Sequence, residues 1–309
     1  MNNILQLQNV VKQYQNYRAV DNLSFNIPES SVFGFLGPNG AGKTSTIRII
    51  TTITRADGGL ILFNNQPLNP NHVAEIGYMP EERGLYKSMK VGETVLYLAQ
   101  LKGMKLSAAK TELNFWLKKF DIASWYDKPI EELSKGMQQK VQFISTVLHR
   151  PKLLILDEPF SGLDPINAVL IQDEISEMHH NGTTIVFSTH RMEQVELICE
   201  HIVLINKGKN MLQGEVKEVK ERFKKNIYQI AWTGDTFLID ENTPFVATQA
   251  ANVANNTLAN NLFIQLKPET SPQTVLRYLL NQNINVVGFN EILPTFSEIF
   301  IQTVENANL

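Results

Sequence analysis

The first two thirds of the chain contain two kinds of strand-like segment, one with alternating apolar and polar residues and one that is continuously apolar. Near the N-terminus, "ILQLQNV" and "LSFNI" alternate apolar and polar residues, which predicts strands with one buried face. Further along, "SVFGFL", "LLIL" and "TTIVFST" are short, continuous apolar runs. Such runs are typical of strands that are buried on both faces, as in a parallel sheet. The pattern therefore predicts an α/β fold.

The middle of the chain shows helical spacing instead. Residues 93–119 predict two helices with an interruption near Gly103. The segment "LSKGMQQKVQ" (Leu133–Gln142) predicts the start of another helix, because Ser134 is a favoured N-cap residue ahead of an apolar-periodic run. Between residues 190 and 215 the sequence predicts a helix, a strand and a Lys-Gly hairpin turn.

The last part of the chain has a different composition, richer in Asn and Gln. Its segments "NIYQIAWT", "LFIQLK" and "INVVGFNE" predict strands. One helix should begin at Ser271 as N-cap with Pro272 in its first position. A second should open with a capping box of Thr295 and Glu298.

This change of composition predicts a domain boundary. Residues 216–226 predict a charge-rich helix, with the boundary near its end. We expect a first domain over residues 1–222 and a small α+β domain over residues 223–309. Within the second, "QAANVANNTLANN" is expected to be a surface loop. No residue of this domain stands out as carrying chemistry.

Composition narrows the classes of function. The 309 residues carry 28 Lys and Arg against 31 Asp and Glu, which argues against nucleic-acid binding through a broad basic surface. The single cysteine, Cys199, excludes a disulfide framework and is expected to be buried. No apolar run approaches the ~18 residues that span a bilayer, and the N-terminus lacks a signal-peptide pattern. We expect a soluble cytosolic protein.

A phosphate-binding loop follows the apolar run "SVFGFL". The motif G-x-x-x-x-G-K-T stands between a predicted strand and a predicted helix, which is the context that it requires. Lys43 should contact the β- and γ-phosphates of a nucleotide, and the Thr44 hydroxyl should bind Mg²⁺. An ordinary Gly-rich turn is the alternative. The predicted phosphate-binding residues are Gly37, Pro38, Asn39, Gly40, Ala41, Gly42, Lys43, Thr44 and Ser45.

Two adjacent acids end the apolar run "LLIL". Ligands of parallel α/β sheets collect at the carboxyl ends of the strands, so Asp157 is placed to reach Mg²⁺. Glu158 is placed to polarise an attacking water. A strand that merely ends in solvated acids is the alternative, and the phosphate loop upstream makes it the weaker one.

These segments, in their order, resemble the ATP-binding subunits of ABC transporters. "LSKGM" is similar to that family's signature sequence, "SGLDP" (Ser161–Pro165) is similar to its D-loop, and His190 stands where its switch histidine stands. The resemblance covers about residues 4–215. It implies an ABC-type P-loop NTPase fold with a helical subdomain at about residues 85–150. The C-terminal domain resembles an extension of some ABC-2-type exporter ATPases.

The resemblance also implies a head-to-tail dimer that encloses two ATP molecules. The partner would be a second copy of the chain or a paired ATPase subunit. Each ATP would lie between the phosphate loop of one subunit and the signature of the other. Ser134, Gly136 and Met137 would then face the partner's nucleotide at a helix N-terminus. Asp164, in the D-loop, would join the nucleotide site.

The chain departs from the family pattern at two positions. Lys135 replaces a signature glycine, and we favour a solvent-facing side chain over one beside the phosphate. Glu81, in "IGYMPEERGLY", replaces a glutamine that most members carry. A carboxylate keeps an acceptor oxygen for Mg²⁺ but lacks the amide donor. Glu82 and Arg83 are expected on the solvent-facing or permease-facing side.

An aromatic side chain near the N-terminus is expected to stack on the adenine. Tyr14 matches the family's position for this contact, and Tyr17, three residues later, is a competing candidate. Stacking contributes affinity but selects adenine weakly. A tyrosine packed on the core at a strand end is the alternative.

The sequence thus predicts an ATP-binding and ATP-hydrolysing subunit that powers a separate transmembrane permease, in the direction of export. Glu158, His190 and Lys43 are the predicted catalytic residues, with ATP and Mg²⁺ as cofactors. The subunit would be cytoplasmic and bound to the inner face of the membrane through the permease. No nucleic-acid partner is expected. One alternative is a soluble ABC ATPase acting on nucleic acid or the ribosome. A non-hydrolysing regulatory subunit is disfavoured because Glu158 is present.

Overall fold

The strand patterns of the sequence produce three sheets. The computed structural model describes residues 2–82, 84–160, 163–234, 239–240, 243–248 and 260–306, and within these it contains fourteen strands and nine α-helices. The strands are β1 (Asn3–Tyr14), β2 (Tyr17–Pro28), β3 (Val32–Leu36), β4 (Gly58–Phe63), β5 (Gln66–Pro67), β6 (Ile76–Met79), β7 (Leu153–Asp157), β8 (Thr184–Thr189), β9 (His201–Asn206), β10 (Lys209–Glu215), β11 (Ile227–Thr233), β12 (Phe245–Thr248), β13 (Asn260–Leu266) and β14 (Asn285–Ile292). The helices are α1 (Lys43–Ile50), α2 (Val91–Leu101), α3 (Leu106–Lys119), α4 (Lys135–Val147), α5 (Pro165–His180), α6 (Met192–Ile198), α7 (Val216–Arg222), α8 (Pro272–Asn281) and α9 (Phe296–Asn306).

The central sheet has six strands in the order β10-β9-β3-β8-β7-β6. All neighbouring pairs are parallel except β9 and β10, which form a hairpin through the predicted Lys207-Gly208 turn. Every residue of β3, β7 and β8 is buried, as continuous apolar runs require. The predicted α/β fold is confirmed.

A second, antiparallel sheet shares its core with the central one. Its strand order is β2-β1-β4-β5. The alternating pattern of β1 places Leu5 and Leu7 inward, and both are fully buried. These side chains join a single apolar cluster with Phe35 of β3, Ile47 of α1 and Ile155 of β7. Helix α1, which begins in the phosphate loop, is therefore fixed between the two sheets.

The helices α2, α3 and α4 form the middle of the chain. The break between α2 and α3 falls where the sequence predicted it, at Gly103, whose φ is 86°. Helix α4 begins after Ser134, and the Ser134 Oγ accepts a hydrogen bond from the Met137 N–H at 3.3 Å. The aromatic ring of Phe143 on α4 packs against those of Trp116 and Phe120, with centroids 6.1 and 6.0 Å apart. These contacts tie α4 to α3.

The chain divides into two compact units, residues 1–216 with 303–309, and residues 217–302. The second unit has an antiparallel sheet in the order β12-β13-β11-β14, against which α8 buries Val275 and Leu279. The strand β12 was not predicted, and α7 ends at residue 222, earlier than expected. Residues 249–259 of the predicted surface loop lie outside the described residues.

The predicted helix starts of the second unit are confirmed. The Thr274 N–H donates to Ser271 Oγ at 3.2 Å, with Pro272 in the first turn of α8. The Thr295 N–H donates to Glu298 Oε2 at 2.7 Å, and the Glu298 N–H donates back to Thr295 Oγ1 at 3.3 Å. The capping box therefore forms as its spacing indicated.

Two expectations from composition can be compared with the structure. In the described part of the chain, no helix combines the length and the apolar character needed to cross a membrane. Cys199 is buried, as predicted, and burial raises the pKa of its thiol to about 12.

The domain boundary after residue 222 stays a prediction, and a truncated chain tests it. A protein ending at Arg222 retains both sheets of the first unit, so we expect it to unfold in one cooperative thermal transition. The matched control ends at Cys199 and lacks β9, which pairs with β3 in the central sheet. That shorter chain should not fold. A chain ending at Arg222 that shows no cooperative transition would contradict the boundary.

Candidate functional site

The predicted site residues follow neighbouring strands at one edge of the central sheet. In its parallel register, Leu36 of β3 lies opposite Thr189 of β8, and Asp157 of β7 lies opposite Ser188 of β8. Strand β6 adjoins β7, so Glu81, two residues beyond it, emerges at the same edge. The structure thus brings four predicted features to one edge of the sheet. They are the phosphate loop, the two adjacent acids, the switch histidine and Glu81.

The phosphate loop requires glycine at two of its positions. A Cβ on Gly37 would lie 2.3 Å from the carbonyl oxygen of Ile205, and one on Gly42 would lie 2.3 Å from that of Ala19. Gly42 also has a φ of 106°, a conformation that other residues rarely adopt. The loop backbone is therefore packed closely against two neighbouring strands, and its shape depends on the absence of side chains.

A cleft of 170 Å³ lies beside this loop. Helix α1 begins in its wall, so the first N–H groups of the helix and the positive end of its dipole lie there. Such a setting favours an anion. The cleft is lined by Tyr17, Ala19, Asn39, Gly40, Ala41, Gly42, Lys43, Thr44 and Ser45.

The Lys43 ammonium turns back onto the loop. Its Nζ donates to the carbonyl oxygen of Gly37 at 2.6 Å and to that of Pro38 at 3.1 Å. Lys43 is only 9% exposed, and this burial lowers its pKa, while nearby carboxylates oppose the shift. The loop therefore holds a largely desolvated positive charge next to the acidic strand ends.

Asp157 and Glu158 have different environments although they are adjacent. Asp157 is 7% exposed, and burial raises the pKa of its carboxyl group. Glu158 has a φ of 48°, which is uncommon for a residue with a side chain and marks a strained backbone. Its N–H donates to the Ser188 carbonyl oxygen at 2.9 Å. This bond to β8 holds the strained residue in place.

Three donors hold the Glu158 carboxylate. Glu158 Oε1 accepts from the His190 N–H at 2.9 Å and lies 2.6 Å from His190 Nδ1, which must carry the proton because a carboxylate only accepts. Glu158 Oε2 accepts from Thr189 Oγ1 at 3.1 Å. Thr189 was missed in the sequence. Its place directly before His190 was the available signal, since Thr189 ends the strand that His190 follows.

The loop that carries Glu81 is anchored by α4. Glu81 and Glu82 are exposed, and Arg83 lies outside the described residues. Burial lowers the pKa of Lys43 and raises that of Asp157; the negative charge of Glu81 opposes the first shift and adds to the second. The backbone of this loop is bound by the side chain of Gln142, a second residue that the sequence did not reveal.

The signature residues do not reach the cleft of their own chain. Ser134 is the N-cap of α4, Gly136 and Met137 lie in its first turn, and none of them lines the cleft beside the phosphate loop. The Met137 N–H is occupied by the Ser134 cap. A Cβ on Gly136 would meet no atom within 4 Å, so this turn faces open space. Lys135 is exposed in the single chain, and its position relative to a partner's phosphate stays a prediction.

Asp164, a described residue of the D-loop, does not line the cleft. Ser161 and Gly162 fall outside the described residues. Asp164 is the N-cap of α5, and its Oδ1 accepts from the Asn167 N–H at 3.0 Å. This hydrogen bond lowers the pKa of the Asp164 carboxyl group. The described contacts of Asp164 are thus those of a helix cap.

The two candidate tyrosines differ in their relation to the cleft. Tyr17 lines it, and the Tyr17 hydroxyl donates to the Gly40 carbonyl oxygen at 2.9 Å. Tyr14 does not line it, and its ring lies 5.4 Å from Lys12 Nζ. The two residues pair at the end of the β1–β2 hairpin. Sequence reasoning ranked Tyr14 first, and its contact with adenine stays a prediction.

Comparison with known proteins agrees with this geometry. The ABC transporter family profile matches residues 20–161, and that of the C-terminal domain of DrrA1-3-like ATP-binding proteins matches residues 214–304. An ABC transporter ATP-binding protein of Bacillus subtilis, YhaQ, is 42% identical over 302 residues, covering 97% of this chain and 98% of that protein. The lantibiotic transport ATP-binding protein SrtF of Streptococcus pyogenes is 31% identical, covering 72% of this chain and 97% of its own length.

Solved structures show the same fold. The ATP-binding subunit of an ABC transporter superposes with a TM-score of 0.67 at 26% identity, covering 71% of this chain and 93% of that one. The cbiO1 protein of Clostridium perfringens, part of an ABC transporter complex, gives a TM-score of 0.62 at 29% identity, with coverages of 71% and 91%. The chain therefore belongs to the ABC transporter ATP-binding proteins, as the ATPase subunit of such a transporter, and carries a DrrA1-3-like C-terminal domain.

Proposed function

We propose that this ATPase hydrolyses Mg²⁺-ATP with Glu158 as the group that orients and deprotonates the attacking water. The observation that carries the proposal is the Glu158 carboxylate, held by Thr189 and His190 beside the buried Asp157. A carboxylate fixed in this way needs little reorganisation to act as a base.

The phosphates of ATP fit the cleft beside the phosphate loop. The N–H groups at the start of α1 would contact the β-phosphate, and the Lys43 ammonium would leave the Gly37 carbonyl for the phosphate oxygens. The desolvation that lowers the pKa of Lys43 also strengthens its attraction to an anion. The loop thus exchanges two contacts with its own carbonyls for contacts with the ligand.

Oxygen-bearing residues at this edge of the sheet suit Mg²⁺. The Thr44 hydroxyl, the Asp157 carboxylate and the Glu81 carboxylate are oxygen ligands, which this ion prefers. In the part of the chain that the structure describes, no cluster of three or more His, Cys, Asp or Glu side chains is arranged to hold a metal. Mg²⁺ usually completes its shell with water and substrate phosphates, so few protein ligands are needed. When bound, the ion would neutralise charge on the phosphates.

The position of His190 supports a role next to the γ-phosphate. Its Nδ1 side is engaged by Glu158, and half of its side chain is exposed at the sheet edge. We propose that it holds the Glu158 carboxylate through Nδ1–H and, with both ring nitrogens protonated, donates Nε2–H to an oxygen of the γ-phosphate. The proton on Nδ1 would fix the orientation of both groups.

We infer that two nucleotide-binding domains enclose the ATP molecules head to tail. The first turn of α4 faces open space, yet a helix start with the Ser134 cap and the small Gly136 suits close approach of a phosphate. None of its residues lines the cleft of its own chain. A partner's γ-phosphate would fill that space, and Asp164 of the D-loop would lie at the same interface.

The direction of transport is proposed as export through a separate permease. SrtF is named for lantibiotic transport, and the linearmycin resistance ATP-binding protein LnrL of B. subtilis is 29% identical over 76% of this chain. The C-terminal domain is of the DrrA1-3-like type. The subunit would lie on the cytoplasmic face of the membrane through its permease. A function on nucleic acid is disfavoured by the net charge of −3.

Replacing Glu158 by glutamine tests the role of the carboxylate. We expect Glu158→Gln to keep ATP affinity within about threefold, because the amide preserves the shape of the side chain. The kcat for hydrolysis should fall at least ~100-fold, since the base is lost. The control Glu193→Gln changes an exposed glutamate on α6 and should alter kcat less than twofold. Hydrolysis by Glu158→Gln near the wild-type rate would rule out the proposed base.

The adenine contact is tested with the two tyrosines of the hairpin. Tyr14→Ala should weaken ATP binding about tenfold by calorimetry, because a stacking contact of 1–2 kcal/mol is lost. Tyr17→Phe removes only the hydrogen bond to Gly40 and should change affinity less than threefold. If Tyr17→Ala weakens binding and Tyr14→Ala does not, Tyr17 is the stacking residue.

The enclosed dimer is tested by mixing two inactive proteins. Lys43→Ala removes the phosphate-loop charge, and Ser134→Arg places a bulky cation on the first turn of α4. Each protein alone should be inactive, but a mixed dimer has one site with both defects and one with neither. We expect ATPase activity to return on mixing, at up to about half of the wild-type rate per dimer.

Two results would contradict the enclosed dimer. One is a failure of the mixture to recover activity although both proteins are folded and dimerise. The other is loss of ATP binding by the isolated Ser134→Arg chain, because its signature should not contact its own nucleotide.

A further inference from the structure

Two glutamine side chains on α4 are buried where they meet the loops that carry site carboxylates. Gln139 is 2% exposed and Gln142 is 3% exposed. Burying an amide is unfavourable unless its polar atoms are hydrogen-bonded. The partners of these two side chains therefore show what their burial achieves.

Gln139 binds the segment that follows β7 and Glu158. Its Nε2 donates to the Pro159 carbonyl oxygen at 3.1 Å, and this contact is buried. Pro159 directly follows Glu158, whose backbone is already in the left-handed conformation. Hydrogen bonds thus act on both sides of this strained residue, since its own N–H is held by Ser188.

Gln142 binds the loop that carries Glu81. Its Nε2 donates to the Pro80 carbonyl oxygen at 2.9 Å and lies 3.5 Å from the Glu82 carbonyl oxygen. The two carbonyls belong to the residues on either side of Glu81. Gln142 Oε1 is buried and has no hydrogen-bond partner among the described residues, so the Nε2 contacts alone set the orientation of the amide.

We propose that Gln139 and Gln142 are positioning residues, which fix the Glu158 and Glu81 loops of their own subunit against the signature helix. The proposal rests on the function proposed above, because it concerns the geometry of that site. The two side chains lie about one helical turn apart on α4 and reach two different loops, so one rigid helix sets the spacing of both carboxylates. In catalysis, a displacement of about 1 Å can cost about 100-fold in rate.

The same helix offers its first turn to the partner in the proposed dimer. Ser134 caps its start, five residues before Gln139. The helix that contacts the partner's ATP is thus the one that holds the acidic loops of its own site. Contact between the first turn of α4 and one ATP could therefore shift the acidic loops around the other ATP.

Methionine substitutions test the positioning role. Methionine is similar to glutamine in length and volume but lacks the donor. We expect Gln139→Met and Gln142→Met each to lower kcat about tenfold, while KM for ATP changes less than threefold, because the phosphate loop is untouched. The control is Thr146→Val on the same helix, whose buried hydroxyl donates only within the helix, to the Gln142 carbonyl oxygen at 2.8 Å. It should change kcat less than twofold.

Mixed dimers separate positioning from general damage to the signature helix. In the mixture of Lys43→Ala and Ser134→Arg chains, the working site takes its phosphate loop and Glu158 from the Ser134→Arg chain. Adding Gln139→Met and Gln142→Met to that chain should lower activity at least tenfold. Adding them to the Lys43→Ala chain, which supplies only its signature, should lower activity less than twofold.

The outcomes that would overturn the positioning role differ from those that would contradict the enclosed dimer. Equal loss in both placements, or loss only in the Lys43→Ala chain, would show that the glutamines support the signature itself. A raised KM with unchanged kcat in the uniform variants would overturn the inference as well. If the mixture of Lys43→Ala and Ser134→Arg chains shows no activity, the enclosed dimer is wrong. The kcat and KM of Gln139→Met and Gln142→Met in otherwise unchanged chains then still decide the role of the glutamines.

Discussion

The charge balance between one lysine and the acidic strand ends constrains the whole site. Lys43 is almost fully buried, and an isolated buried ammonium would be strongly unfavourable. The carboxylates of Asp157, Glu158 and Glu81 act on it from the ends of β6 and β7 and offset part of the cost of its burial. Bringing these groups together requires the parallel register of the central sheet, which aligns the ends of β3, β7 and β8.

The sequence predicts the elements of this arrangement well where local patterns determine them. The buried strands follow from apolar runs, the break at Gly103 from its conformational freedom, and the cap at Ser134 from its hydroxyl. The phosphate loop could be identified because its chemistry needs fixed residues at fixed spacing. Such features depend on residues that are close together in the chain.

Contacts between distant segments were the ones that the sequence did not reveal. The hydrogen bond from Thr189 to Glu158 joins residues 31 positions apart, and that from Gln139 to Pro159 joins residues 20 apart. A polar residue at a strand end or in a helix has many alternatives, and tertiary packing decides among them. The four-residue strand β12 was missed for a similar reason, since it is stabilised by its pairing with β13. The position of Tyr17 in the cleft likewise depends on how the β1–β2 hairpin lies against the loop.

A structure of the Glu158→Gln protein with ATP and Mg²⁺ would test the central claim most directly, because it shows which groups surround each γ-phosphate. The enclosed dimer predicts two copies of the chain in which Ser134 Oγ of each lies about 2.5–3.0 Å from a γ-phosphate oxygen held by Lys43 of the other. It also predicts Asp157 at the metal and residue 158 within reach of a water in line with the γ-phosphate. A bound ATP whose γ-phosphate meets Ser134 of the same chain, or meets only solvent in a stable monomer, would contradict it.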